Sequence, residues 1–104
     1  MEQAVIVYLR LRDDGFGSSE ERDVLCVLED QIQQAIEKVS AGEFDGDEFG
    51  GGECVLFMYG PDADRLYAVI EPLLKNTPAA AGGYAIKRYG GARDPLSRKV
   101  RVSW

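Results

Sequence analysis

The residues most able to do chemistry lie in one run, Glu43-Phe44-Asp45-Gly46-Asp47-Glu48-Phe49-Gly50-Gly51-Gly52-Glu53, which sets five acids beside two aromatics and four glycines. Carboxylate oxygens suit a hard cation, so calcium is the first chemistry to try. A calcium loop begun at Asp45 would find Asp47 at its third place and Gly50 at its sixth. It then puts Phe49 where a ligand belongs and Leu56 at the final acidic place. No metal and no cofactor is therefore expected. Two readings remain open. One is an edge strand guarded by charge and glycine. In an unbroken strand Phe44 and Phe49 would point to opposite faces, so that reading needs a bulge or bend near Gly46. The other is an acidic recognition loop carrying Asp45, Asp47, Glu48 and Phe49.

The chain has no histidine. Ser-His-Asp and Cys-His catalysis, His-bearing zinc sites and a histidine pH switch are thereby excluded. Cys26 and Cys54 stand in no close-spaced metal or redox motif and read as free thiols. The net charge is -6, unevenly spread. Residues 1–83 hold 6 basic and 17 acidic side chains, a balance of -11, whereas residues 84–104 hold 6 basic against 1 acidic, +5. Lys87, Arg88, Arg93, Arg98, Lys99 and Arg101 make this basic group, either an anion site or a solvated strand face set against acids elsewhere. A net-acidic protein is repelled from nucleic acid at long range, so no nucleic-acid partner is expected. No apolar run approaches the roughly 20 residues needed to span a bilayer, and Glu2 stands where an export signal needs basic residues. A cytoplasmic protein with no membrane partner is the expectation.

Positioning these residues requires regular elements. Ala4 to Arg12 alternates as a strand, with Val5, Val7, Leu9 and Leu11 toward a core and Ile6, Tyr8, Arg10 and Arg12 on the other face. Asp13 to Ser19 is a loop rich in turn formers. Ser19 is placed to cap a helix running to about Ala41, stopped by Gly42. Leu25, Leu28, Ile32, Ala35, Ile36 and Val39 make its apolar stripe; Glu29, Asp30, Gln33, Gln34 and Glu37 its wet face. Cys26 falls off the stripe. A strand, a turn at Gly50-Gly51-Gly52 and a second strand follow. Cys54 to Tyr59 is apolar throughout, the mark of a central strand. Asp62 caps a second helix, whose Leu66, Val69, Ile70, Leu73 and Leu74 face inward and whose Pro72 faces water. Ala79 to Gly83 reads as a flexible link. Tyr84 to Tyr89 and Arg98 to Trp104 complete the pattern as strands, joined by a loop over 90–97.

One domain of 104 residues results. Its first six elements, βαββαβ, have the ferredoxin-like order, an α+β sandwich of one antiparallel sheet with both helices on one face and an extra C-terminal strand beside the fourth. The uncovered sheet face should show Tyr8, Arg10 and Arg12 with one alternate set of the third strand. That set is either Val55, Phe57 and Tyr59 or Cys54, Leu56 and Met58. Either leaves an apolar patch large for a monomer. The patch is covered by the tail or the 90–97 loop, holds a ligand, or packs against a second copy; the last is preferred, with Tyr8, Arg10, Arg12, Phe57 and Tyr59 at the interface. RNA-binding sheets of this kind carry a basic-Gly-aromatic-Gly signature, which Gly52 to Tyr59 lacks. An acylphosphatase would need an arginine in a glycine-rich loop after the first strand, where Asp13-Asp14-Gly15-Phe16-Gly17-Ser18 is acidic.

The run Gly42 to Glu53, followed by Leu56-Phe57-Met58-Tyr59-Gly60-Pro61-Asp62-Ala63-Asp64, resembles small bacterial single-domain proteins of unassigned function. The resemblance implies a stand-alone bacterial domain and assigns no residue a role. Functionally the chain reads as a non-enzymatic binding or regulatory module, homodimeric through the open sheet face. The alternatives are an acidic inhibitor or immunity-type protein that blocks a basic protein partner, and a small histidine-free enzyme with a pocket on that face.

Overall fold

The computed structural model describes residues 2–12, 15 and 17–104; part of the expected Asp13–Ser19 loop therefore lies outside the described residues. The elements are strand β1 (Gln3–Arg10), helix α1 (Ser19–Lys38), strands β2 (Glu43–Gly50) and β3 (Glu53–Gly60), helix α2 (Ala63–Lys75), a short 3-10 turn (Pro78–Ala80), and strands β4 (Tyr84–Arg88) and β5 (Lys99–Val102). All five strands join one open antiparallel sheet in the order β2-β3-β1-β4-β5. α1 lies against α2 and β2, and α2 against β1, β3 and β4. Val5, Val7 and Leu9 of β1, Cys54, Leu56 and Met58 of β3, and Ala85 of β4 meet the two helices in one core. The open choice along β3 is thus decided: Cys54, Leu56 and Met58 are fully buried under the helices, and Val55, Phe57 and Tyr59 turn away.

Several local expectations are corrected. α1 is capped by Ser18, whose hydroxyl accepts from the Glu21 N–H, so Ser19 is the first helical residue. The helix ends at Lys38. Ser40, not Gly42, takes the left-handed stop at φ 52°, and the Ala41 N–H donates back to the Ile36 carbonyl at 3.0 Å. Gly42 serves a different purpose: a Cβ there would lie 2.1 Å from the Tyr59 carbonyl oxygen, so only glycine lets the chain cross the end of β3. Ala79 to Gly83 is not a loose link. Ala80 is buried in the 3-10 turn, and its carbonyl accepts from the Gly83 N–H and from Trp104 Nε1. β4 and β5 are shorter than expected, ending at Arg88 and Val102.

β2 carries the expected distortion. Phe44 pairs with Met58 and Gly46 with Phe57, so Asp45 is the extra residue of a bulge. The bulge resets the alternation, and both Phe44 and Phe49 pack against the core. α2 is capped by Asp62, whose Oδ1 accepts from the N–H groups of Asp64 and Arg65. Its buried set is Ala63, Leu66, Tyr67, Ile70 and Leu74, and Pro72 is exposed. Among the described residues no helix is long and apolar enough to cross a membrane.

Candidate functional site

Opposite the helices, strand registers assemble the second face row by row. Across one row run Glu43, Tyr59, Ala4, Arg88 and Lys99. The next holds Gly46, Phe57, Ile6, Ile86 and Arg101, and the third Glu48, Val55, Tyr8 and Tyr84. Side chains alternate along a strand, so these residues share one side of the sheet. Ile6, Tyr8, Val55, Phe57, Tyr59, Tyr84 and Ile86 are all half-buried, with no helix above them.

Two aromatic contacts organise the centre. The Tyr8 and Tyr84 rings stack with centroids 4.8 Å apart and 12° between planes. The Arg101 guanidinium lies 3.8 Å from the Tyr84 ring centroid, a cation–π contact that holds it flat on the face. Burial, then the neighbouring Tyr84 and Glu53, push the Tyr8 hydroxyl above its ordinary pKa. Tyr84 and Ile86 were not singled out from the sequence, although the alternation in Tyr84-Ala85-Ile86-Lys87-Arg88 held the signal, and Arg101 was read only as one of the basic group.

The loop over 90–97 borders this face at one end only. Arg88, 8% exposed, donates from Nε to the Gly90 carbonyl at 2.8 Å and sets its guanidinium 6.0 Å from the Tyr59 ring centroid. A cleft of about 410 Å³ beside it is lined by Glu43, Asp45, Tyr59, Arg88, Gly91 and Ala92, among others. The C-terminal residues go the other way, Val102 and Trp104 packing against the core. Among the described residues neither the loop over 90–97 nor the C-terminal residues cover the rows through Phe57 and Tyr8. At the far end a second cleft, of about 480 Å³, is lined by Tyr8, Arg10, Glu53, Tyr84 and Arg101 together with Gly51, Gly52, Gly82 and Gly83.

Of the remaining sequence-derived residues, Arg12 stands past the end of β1. Its N–H donates to Glu21 Oε2 at 2.9 Å and its Nη2 to the Ala81 carbonyl at 3.2 Å, so it ties together two connections. The acidic run forms strand β2 up to Gly50, and its residues are divided between the two faces. Glu48 takes the open face opposite Val55, Asp45 sits in the bulge, and Asp47 and Phe49 face the helices opposite Leu56 and Cys54. The basic group is divided as well. Lys87 lies on the helix side, 2.9 Å from Asp64 Oδ1, and Arg98 lies over the Tyr89 ring. Lys99 and Arg101 belong to the open face.

Glu29 overturns its assignment to the wet face of α1. It is 9% exposed, and its Oε2 has no hydrogen-bond partner. Burial first, then the Asp47 carboxylate, which accepts a hydrogen bond from the protonated group, push its pKa up to about 8. Burial and the same two acids push the nearby Cys54 thiol up to about 12, which leaves it protonated and unreactive at neutral pH. Cys26 is an exposed free thiol. Among the described residues no three His, Cys, Asp or Glu side chains converge as a metal site. Comparison with family models, with curated proteins and with solved structures finds no match to this chain.

Proposed function

We propose that this domain is a non-enzymatic binding module that works as a homodimer, with the open sheet face as its contact surface. The observation that carries the reading is the continuous apolar and aromatic strip Ile6, Tyr8, Val55, Phe57, Tyr59, Tyr84 and Ile86 on a face that neither helix covers. A strip of this kind in a net-charged chain gains by being shielded from water. In architecture we propose a ferredoxin-like sandwich for the first six elements, extended by β5. Support comes from the βαββαβ succession and from the inner positions of β1 and β3.

The test is light scattering at micromolar concentration. The wild-type chain should give twice its 11.5 kDa mass, and Phe57→Asp should give 11.5 kDa with an unchanged far-ultraviolet circular dichroism spectrum. A wild-type mass of one chain at all concentrations up to 100 μM (on the order of 10⁻⁴ M, weaker than a functional dimer) refutes the reading. A second reading draws on the 480 Å³ cleft, whose lining includes Tyr8, Arg10 and Arg101, residue types that would hold a small planar anion. Titration with benzoate, watched through tyrosine fluorescence in wild type and Arg10→Ala, separates it from the first.

A further inference from the structure

The charged residues on the open face are sorted by strand. β2 contributes Glu43 and Glu48, both exposed; β5 contributes Lys99 and Arg101, both exposed. Between them lie the apolar and aromatic strip, the small Ala4 and Gly46, Arg88, which is buried under its own contacts, and, in the row beyond Tyr8, the exposed Glu53 of β3 opposite the exposed Arg10 of β1. Glu43, Glu48, Lys99 and Arg101 make no ion pair among the described residues. The acids therefore stand at one edge of the sheet and the bases at the other, with Glu43 and Lys99 at the two ends of a single row.

We infer that the face is complementary to itself in one orientation, and that two copies pack by a two-fold axis lying along the strands. This rests on the homodimer reading and specifies its geometry. A two-fold axis within the interface can run along the strands or across them. Rotation about an axis along the strands exchanges left and right, so the β2 edge of one copy lies over the β5 edge of the other. Glu43 and Glu48 then meet Lys99 and Arg101, and the symmetry makes the contact twice. Rotation about an axis across the strands instead lays β2 over β2 and β5 over β5, which sets acid against acid and base against base. The hydrophobic centre is indifferent to that choice. The edges decide it, because like charges brought together oppose docking while opposite charges guide it. The distances suit this role, since face-packed sheets lie about 10 Å apart, a gap that a glutamate and an arginine reaching toward each other can close. In plan the face is about 19 Å across its four inter-strand steps and about 26 Å along its three eight-residue strands, and shorter over β4 and β5.

The experiment uses two charge reversals of the full chain. In one, Glu43→Lys and Glu48→Lys make both edges basic; in the other, Lys99→Glu and Arg101→Glu make both acidic. Each variant alone should dimerise at least tenfold more weakly than wild type by sedimentation equilibrium. Mixed one to one, they should form a heterodimer, seen by native mass spectrometry, with affinity within a few-fold of wild type, because both edges are then matched again. Recovery on mixing also shows that each variant is folded. If both reversals dimerise as wild type does, or if the mixture yields no heterodimer, while Phe57→Asp still abolishes the wild-type dimer, then the orientation is wrong and the shared face stands. A wild-type chain that is monomeric throughout overturns both.

Discussion

β3 is apolar at every position from Cys54 to Tyr59, yet its two faces have opposite fates. Cys54, Leu56 and Met58 are at 0% exposure beneath α1 and α2. Val55, Phe57 and Tyr59, one residue away in each case, stand half-buried on a surface that neither helix covers. Hydrophobicity alone does not distinguish them. The helix-covered face is a closed core whose role is stability, and the open face is an apolar surface whose stability role is largely spent within the sheet. Polar contacts break the pattern on the covered side only toward its margins, where Glu29 of α1 meets Asp47 of β2 and Lys87 of β4 meets Asp64 of α2.

The largest expected effect lies in the core. Leu56→Ala should lower unfolding free energy by about 2–5 kcal/mol in urea denaturation, since it loses transfer energy and leaves a cavity among fully buried neighbours. Next is the buried Glu29 beside Asp47. Glu29 in the folded chain keeps its proton to about pH 8, whereas the unfolded chain releases it near its ordinary value of 4.5. Between those values the native state binds more protons, so stability falls as pH rises from about 4.5 to about 8. Glu29→Gln removes the titration and keeps the shape. It should therefore melt higher than wild type at pH 8, by on the order of 1–2 kcal/mol after solvent screening, and match wild type at pH 4. The smallest effect belongs to the open face. Phe57→Ala, measured at a concentration where wild type is monomeric, should cost no more than about 1 kcal/mol, because the side chain loses only partial burial. If Phe57→Ala proved as costly as Leu56→Ala, the contrast between the faces would collapse.

Much of this contrast was legible in the sequence. Period-two alternation marked Val5, Val7 and Leu9 as inward and Tyr8 as outward, and helical spacing marked Leu25, Leu28, Ile32 and Ile36. The parity conflict between Phe44 and Phe49 predicted the bulge, because a strand has only two sides. Along β3 alternation carried no information, since both alternate sets are apolar; only pairing with β1 settled which set met the helices. Glu29 was misassigned for a related reason. Its place on the α1 wheel is polar, but α1 lies on β2, and the bulged β2 turns Asp47 back toward it. The basic residues of the last 21 positions formed one cluster on paper, and strand parity then sent Lys87 to Asp64 and Arg101 to Tyr84 on opposite sides of the sheet.

By itself the sequence determined the kinds and order of the elements, the absence of histidine chemistry and the acidic character of β2, because these follow from residue type, periodicity and turn chemistry. Only the tertiary structure decided how β2 and β5 sit. They are distant in the chain and never touch, yet the strand order makes them the two outer edges of one sheet. That placement sets the acids of the central run and the bases of the C-terminal run about 19 Å apart across a shared apolar face. Side-chain pairing across a sheet is a property of register, which no local window of sequence contains.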